Sequence, residues 1–96
     1  MANIVRVQTV DDVRIEHTPT LFTVHAKGTH NWGASHARLV PMFSEEPARL
    51  ILGFYVDQGN TTVMTPVSAS LEFEGERFAE VCVVGERNKE CRPVFE

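Results

Sequence analysis

The strictest constraint on this chain is a run of two-residue alternation between Thr62 and Phe73. Val63, Thr65, Val67, Ala69, Leu71 and Phe73 point one way; Thr62, Met64, Pro66, Ser68, Ser70 and Glu72 point the other. Successive side chains of an extended strand leave opposite faces, so this run can bury an apolar face only as a strand. Leu21–Lys27 repeats the pattern, with Phe22, Val24 and Ala26 set against Thr23, His25 and Lys27. Across 48–56 both faces are apolar, because Leu50, Leu52, Phe54 and Val56 alternate with Ile51, Gly53 and Tyr55. That segment reads as a central strand covered on both sides, or covered on one side by a partner.

Turn-forming residues separate these runs at Ser44–Pro47, Asp57–Asn60, Glu74–Glu76 and Gly85–Asn88. No segment of helical length carries a helical stripe, so the chain is expected to be all-β: a small antiparallel β-sandwich of about seven or eight strands, immunoglobulin-like or related. A three-residue loop at Glu74-Gly75-Glu76 would pair 63–73 with 77–84, setting Leu71 opposite Ala79, Ala69 opposite Val81 and Val67 opposite Val83. Val5–Glu16 reads as a hairpin turning at Val10-Asp11-Asp12, in preference to a segment with a short helical turn begun by Thr9, and Pro41 and Pro66 put their segments on sheet edges or at bulges. The expected core is Phe22, Val24, Leu50, Leu52, Phe54, Val67, Leu71, Val81 and Val83.

A chain of 96 residues is expected to form one domain, 1–96. Its apolar share of 43% and charged share of 23% suit a folded chain, and its nine basic residues lie scattered among thirteen acids at a net charge of -4. No basic stripe is present, so nucleic acid is not the expected partner. No apolar run approaches the roughly 20 residues of a spanning helix, so no membrane association is expected. The first residues do not form a secretion signal, and the expected location is the cytoplasm unless an export signal has been removed.

No catalytic residue, metal ligand or cofactor motif stands out. His25, His30 and His36 have spacings that fit neither a helical nor a strand-borne metal site. Ser35 and His36, with Asp57 elsewhere in the chain, contain the residue types of a triad, but adjacent side chains point apart. Cys82 and Cys91 would face each other across a hairpin turning at Glu86-Arg87, where a bridge is conceivable; in a reducing cytoplasm two separate thiols are the default. The most distinctive segment is Gly28–His36, which holds the only tryptophan. Read as a nine-residue loop it is long for so small a domain, and it makes Trp32, His30, Asn31 and His36 the expected binding residues.

The run Ala26-Lys27-Gly28, Asn31-Trp32-Gly33 and Arg38-Leu39-Val40-Pro41 resembles small bacterial β-domain proteins in which a Gly/Trp loop precedes a Leu-x-Pro strand. The resemblance implies a small β domain and brings no activity with it. Function therefore rests on the residues themselves: a binding or protein-interaction module, self-associating or engaging a protein partner, against the alternative of a small metal-dependent or hydrolytic enzyme using loop histidines.

Overall fold

A computed structural model of the protein describes residues 3–17, 19–74 and 78–94. It is a two-sheet β-sandwich of eight strands: β1 (Asn3–Arg6), β2 (Thr9–His17), β3 (Leu21–His30), β4 (Ala34–Met42), β5 (Arg49–Gln58), β6 (Thr65–Glu74), β7 (Glu80–Val84) and β8 (Lys89–Pro93). One sheet is β2-β3-β6. The other, five-stranded, is built around β5, with β4 along one edge and β1 and β7 end to end along the other, and β8 beyond β7.

The doubly apolar segment is thus central, as its composition requires. Leu52, Phe54 and Val56 are fully buried between the sheets, facing Val24 and Ala26 of β3 and joined by Val81 and Val83. Val67 and Leu71 of the expected core are only half-buried, because β6 is an edge strand bonded to β3 alone. Pro41 and Pro66 both lie on edge strands, where a missing amide donor costs no ladder bond. Phe22, Phe73 and Phe78 pack together, with Phe22 and Phe73 stacked at 5.3 Å and Phe78 edge-on to both.

Three expectations about pairing are corrected. The strands flanking Gly75 do not pair: Leu71 lies opposite Val24 and Ala69 opposite Ala26, while β7 joins the other sheet in a parallel pair with β5, Val81 beside Leu50. Residues 75–77 of the expected loop lie outside the described residues. The alternation gave the inward row from Thr65 to Phe73, although Val63, expected on the same row, lies before β6 and is exposed, and β3 accepts that face as well as β7 would. Val10-Asp11-Asp12 is a bulge inside β2, not a turn. The chain instead changes sheet at Val7, a fully buried residue whose amide donates to the Phe54 carbonyl at 2.8 Å. At the bulge, Asn88 replaces a strand partner: its Oδ1 accepts from the Val10 amide and its Nδ2 donates to the Val10 carbonyl, both at 2.8 Å. Finally, Gly28 and His30 belong to β3, which leaves only Asn31, Trp32 and Gly33 between β3 and β4. The expected nine-residue loop is a tight turn crossing from one sheet to the other.

Cys82 and Cys91 are directly opposed across β7 and β8 and are joined by a disulfide, so the expectation of separate thiols is replaced by a cross-strand bridge. The register that the Glu86-Arg87 turn implies brings them together. Among the described residues no helix is long and apolar enough to cross a membrane.

Candidate functional site

The four residues singled out from sequence fall in different surroundings. His30 ends the inward row Phe22, Val24, Ala26, Gly28 and is 1% exposed, so it supports the turn from within and does not face solvent. Its Nε2 donates to Gln58 Oε1 at 2.9 Å, while Nδ1 has no hydrogen-bond partner among the described residues. Asn31 is half-buried, and its backbone amide donates to Gln8 Oε1 at 3.1 Å. Trp32, 37% exposed, stands at the turn. Gly33 ties the turn to the segment between β5 and β6, donating to the Thr61 carbonyl at 2.8 Å and accepting from the Gly59 amide.

His36 is exposed and adopts a left-handed backbone (φ 53°) at a bulge in β4 between Ser35 and Arg38. That conformation is unusual for a residue with a side chain. Arg38 stabilises it, donating to the His36 carbonyl at 2.8 Å and to Asp57 at 3.2 Å. Ser35 Oγ and Asp57 Oδ2 both lie 3.2 Å from the same ring nitrogen, His36 Nδ1. A relay needs the serine and the carboxylate on opposite nitrogens, so these three side chains do not form one.

A second serine and histidine meet on the outer face of the three-stranded sheet, where His25 Nδ1 is 2.8 Å from Ser70 Oγ. Glu16 Oε1 is 3.5 Å from His25 Nε2, an ion-pair distance without a hydrogen bond, and Arg14 holds the same carboxylate at 2.9 Å. All lie on the outer face of the three-stranded sheet, with Ser70 on its edge strand β6. That face is otherwise polar, carrying Thr23, Lys27, Thr29, Ser68 and Glu72. A shallow groove of about 530 Å³ crosses it between Asp11, Lys27 and Ser68.

The outer face of the five-stranded sheet is different. Register sets Val40, Met42, Ile51, Gly53, Tyr55 and Val84 side by side there, and among the described residues no strand lies over them. A Cβ on Gly53 would strike the ring of Tyr55 and the sulfur of Met42, so the ring lies across the glycine and flattens the centre of the face. Val40 is 39% exposed, Ile4 62% and Phe43, just past β4, 87%.

Charge differs between the two ends of this face. Arg6 and Arg38 stand with Asp57 at one end, leaving one positive charge; Glu45, Glu46 and Glu80 stand with Arg49 at the other, leaving two negative charges. Arg49 Nε donates to Glu80 Oε1 at 2.7 Å. None of the expected binding residues except His36, at its edge, lies here, but the alternation of Ile51 and Tyr55 with the core row, with Gly53 between them, is the sequence signal for which cover by a partner was expected.

Among the described residues, the one group with three side chains in reach of a common metal ion is Glu80, Cys82 and Cys91. The described histidine rings occupy the core, the outer face of one sheet and the bulge at the edge of the other. Compared with protein-family models, curated proteins and solved structures, the chain matches none.

Proposed function

We propose that this protein is a non-catalytic interaction module that pairs with a second copy of itself through the outer face of its five-stranded sheet. The observation that carries the reading is the contrast between the two outer faces: one is polar, the other carries a continuous apolar strip from Val40 and Met42 through Ile51 and Tyr55 to Val84. A second copy is favoured because the strip is self-complementary in charge. A two-fold axis lying in the interface, at right angles to β5 and level with Leu52, exchanges the Tyr55 and Arg49 levels and so sets Arg38 towards Glu46 of the other copy and Arg6 against its Glu80. An axis along β5 would instead stack like ends.

The size of the face agrees with modest affinity. Ten residues of β5 at about 3.3 Å and four strand columns at about 4.8 Å give roughly 600 Å² per copy, or about 1,200 Å² in all. That is the lower end of specific interfaces. The Cys82–Cys91 bridge supports an oxidising compartment in place of the cytoplasmic location expected from the first residues.

Sedimentation equilibrium of the oxidised protein tests the pairing. The wild type should pass from monomer to dimer as concentration rises through the micromolar range, and Val40→Glu, at an already exposed position, should stay monomeric and folded. A wild type that remains monomeric throughout, or a Val40→Glu variant that dimerises equally well, overturns the reading. A second reading places a protein contact at the Asn31–Gly33 turn, favoured by the partial exposure of Trp32. In that case Trp32→Ala, and not Val40→Glu, abolishes association.

A further inference from the structure

We propose that Cys82, Cys91 and Glu80 form, once the bridge is reduced, a binding site for a thiophilic divalent cation of the Zn²⁺ or Cd²⁺ type. The site needs one chain only and does not depend on self-association.

The argument starts from register. Cys82 and Cys91 are directly opposed on β7 and β8, with both side chains on the outer face of the sheet, since Val81 and Val83 fill the inner one. Glu80 precedes Cys82 by two residues and therefore shares its face. Its Oε1 lies 3.7 Å from Cys82 Sγ, and one ligand atom from each of the three residues falls within 4.8 Å of the other two. A tetrahedral zinc site with metal–ligand bonds of about 2.0–2.3 Å needs its ligand atoms roughly 3.3–3.8 Å apart. Opening the S–S bond to that spacing, with a small shift of the carboxylate, meets this need without moving a strand. Two thiolates and a carboxylate would bind the ion, and water would complete the tetrahedron. Arg49, donating to Glu80, would orient the carboxylate and offset the excess negative charge.

Reduction balances as thiol–disulfide exchange with a dithiol. A reductant thiolate attacks Cys91 Sγ, the more accessible sulfur since Cys82 is only 3% exposed, and Cys82 leaves as thiolate. The second reductant thiol then displaces Cys91, so the dithiol becomes a cyclic disulfide and two electrons pass to the protein. The cation next displaces the two cysteine protons. The two strands have other anchors meanwhile: Val81, Val83 and Val94 stay in the core, and the Val94 amide donates to the Ala79 carbonyl at 2.8 Å.

The test is a titration with Cd²⁺ alone, followed by the thiolate-to-cadmium absorption band and by proton release, on oxidised protein and on reduced protein freed of reductant. One Cd²⁺ per chain should bind the reduced form, with at least 100-fold weaker binding to the oxidised form and to reduced Cys91→Ser. Glu80→Gln should weaken binding by about 10- to 100-fold. Reduced wild type binding no tighter than Cys91→Ser overturns the proposal. So does a stoichiometry of one ion per two chains, or indifference to Glu80→Gln, since either would make the site a bare thiol pair. Circular dichroism guards against loss of fold on reduction: if the reduced chain unfolds, recovery of the strand signal on adding Cd²⁺ supports the site, and its failure to recover overturns it.

Discussion

Adding one methyl group at Gly28 should unfold much of the stability of this domain. Gly28 lies in β3, where the chain crossing between sheets at Val7 passes directly against it. An ideal Cβ there would sit 2.5 Å from the Thr9 carbonyl oxygen, 2.8 Å from Val7 Cγ1 and 3.3 Å from Phe54 Cε2. The nearest atom is backbone, fixed at the start of β2, and the next belongs to a fully buried valine, so neither can retreat cheaply. Overpacking of this kind costs about 1–3 kcal/mol, and contact with backbone puts Gly28→Ala near 3 kcal/mol. For a domain stabilised by about 5–15 kcal/mol this is large. With a urea slope of about 1.5 kcal/mol per molar, the unfolding midpoint should fall by about 2 M. Gly33→Ala is the internal control: its nearest contact would be 3.8 Å and its backbone is not left-handed, so its midpoint should move by less than about 0.5 kcal/mol equivalent. Both should be measured at one low protein concentration, because association adds stability by mass action. If Gly28→Ala is as mild as Gly33→Ala, the packing of the Val7 crossing against β3 is refuted.

Leu52→Ala should cost about 4 kcal/mol, because Leu52 is fully buried between Pro41 and Val83 in mid-sheet and neighbouring strands on both sides prevent collapse of the cavity; a loss under about 1 kcal/mol would place it at a surface. Thiol counting of denatured, unreduced protein should find none. Replacing both cysteines by alanine should lower stability by about 3 kcal/mol, the loop-closure value for so short a ring, and an unchanged urea midpoint would refute the bridge's contribution. Trp32 should be quenched by acrylamide to an intermediate degree, and Trp32→Ala should cost about 1–2 kcal/mol; complete protection from quencher would contradict its position at the turn.

Strand positions were legible in the sequence because alternation is local: Phe22, Val24 and Ala26 announce their face without reference to any other strand. Pairing was not, because a face does not name its neighbour. The row Val67, Ala69, Leu71 fits Val81 and Val83 by pattern as well as it fits Val24 and Ala26, and only the packing of the whole sandwich selects β3. The end of β3 was hidden for a related reason. Gly28 and His30 occupy inward positions of the same row, but a glycine and a histidine there look like loop residues unless the close approach of Val7 and the bond to Gln58 are known. The opposed cysteines followed from turn position alone, whereas their oxidation did not, since the sequence argument turned on compartment. The candidate face was half legible: Ile51 and Tyr55 signalled a need for cover, but what lies across from them depends on β4 and β7, which are remote in sequence.

Self-association through that face is tested most directly by following backbone amide chemical shifts of the oxidised protein over a dilution series. Amides of Val40, Met42, Ile51, Tyr55 and Val84, and those of Arg6, Arg38, Glu46 and Glu80 at its two charged ends, should move together with one dissociation constant in the micromolar range. Those of Thr23, His25, Lys27 and Ser68 on the opposite sheet should stay still. Shifts that do not depend on concentration, or that gather on the opposite sheet or at the Asn31–Gly33 turn, would contradict the account.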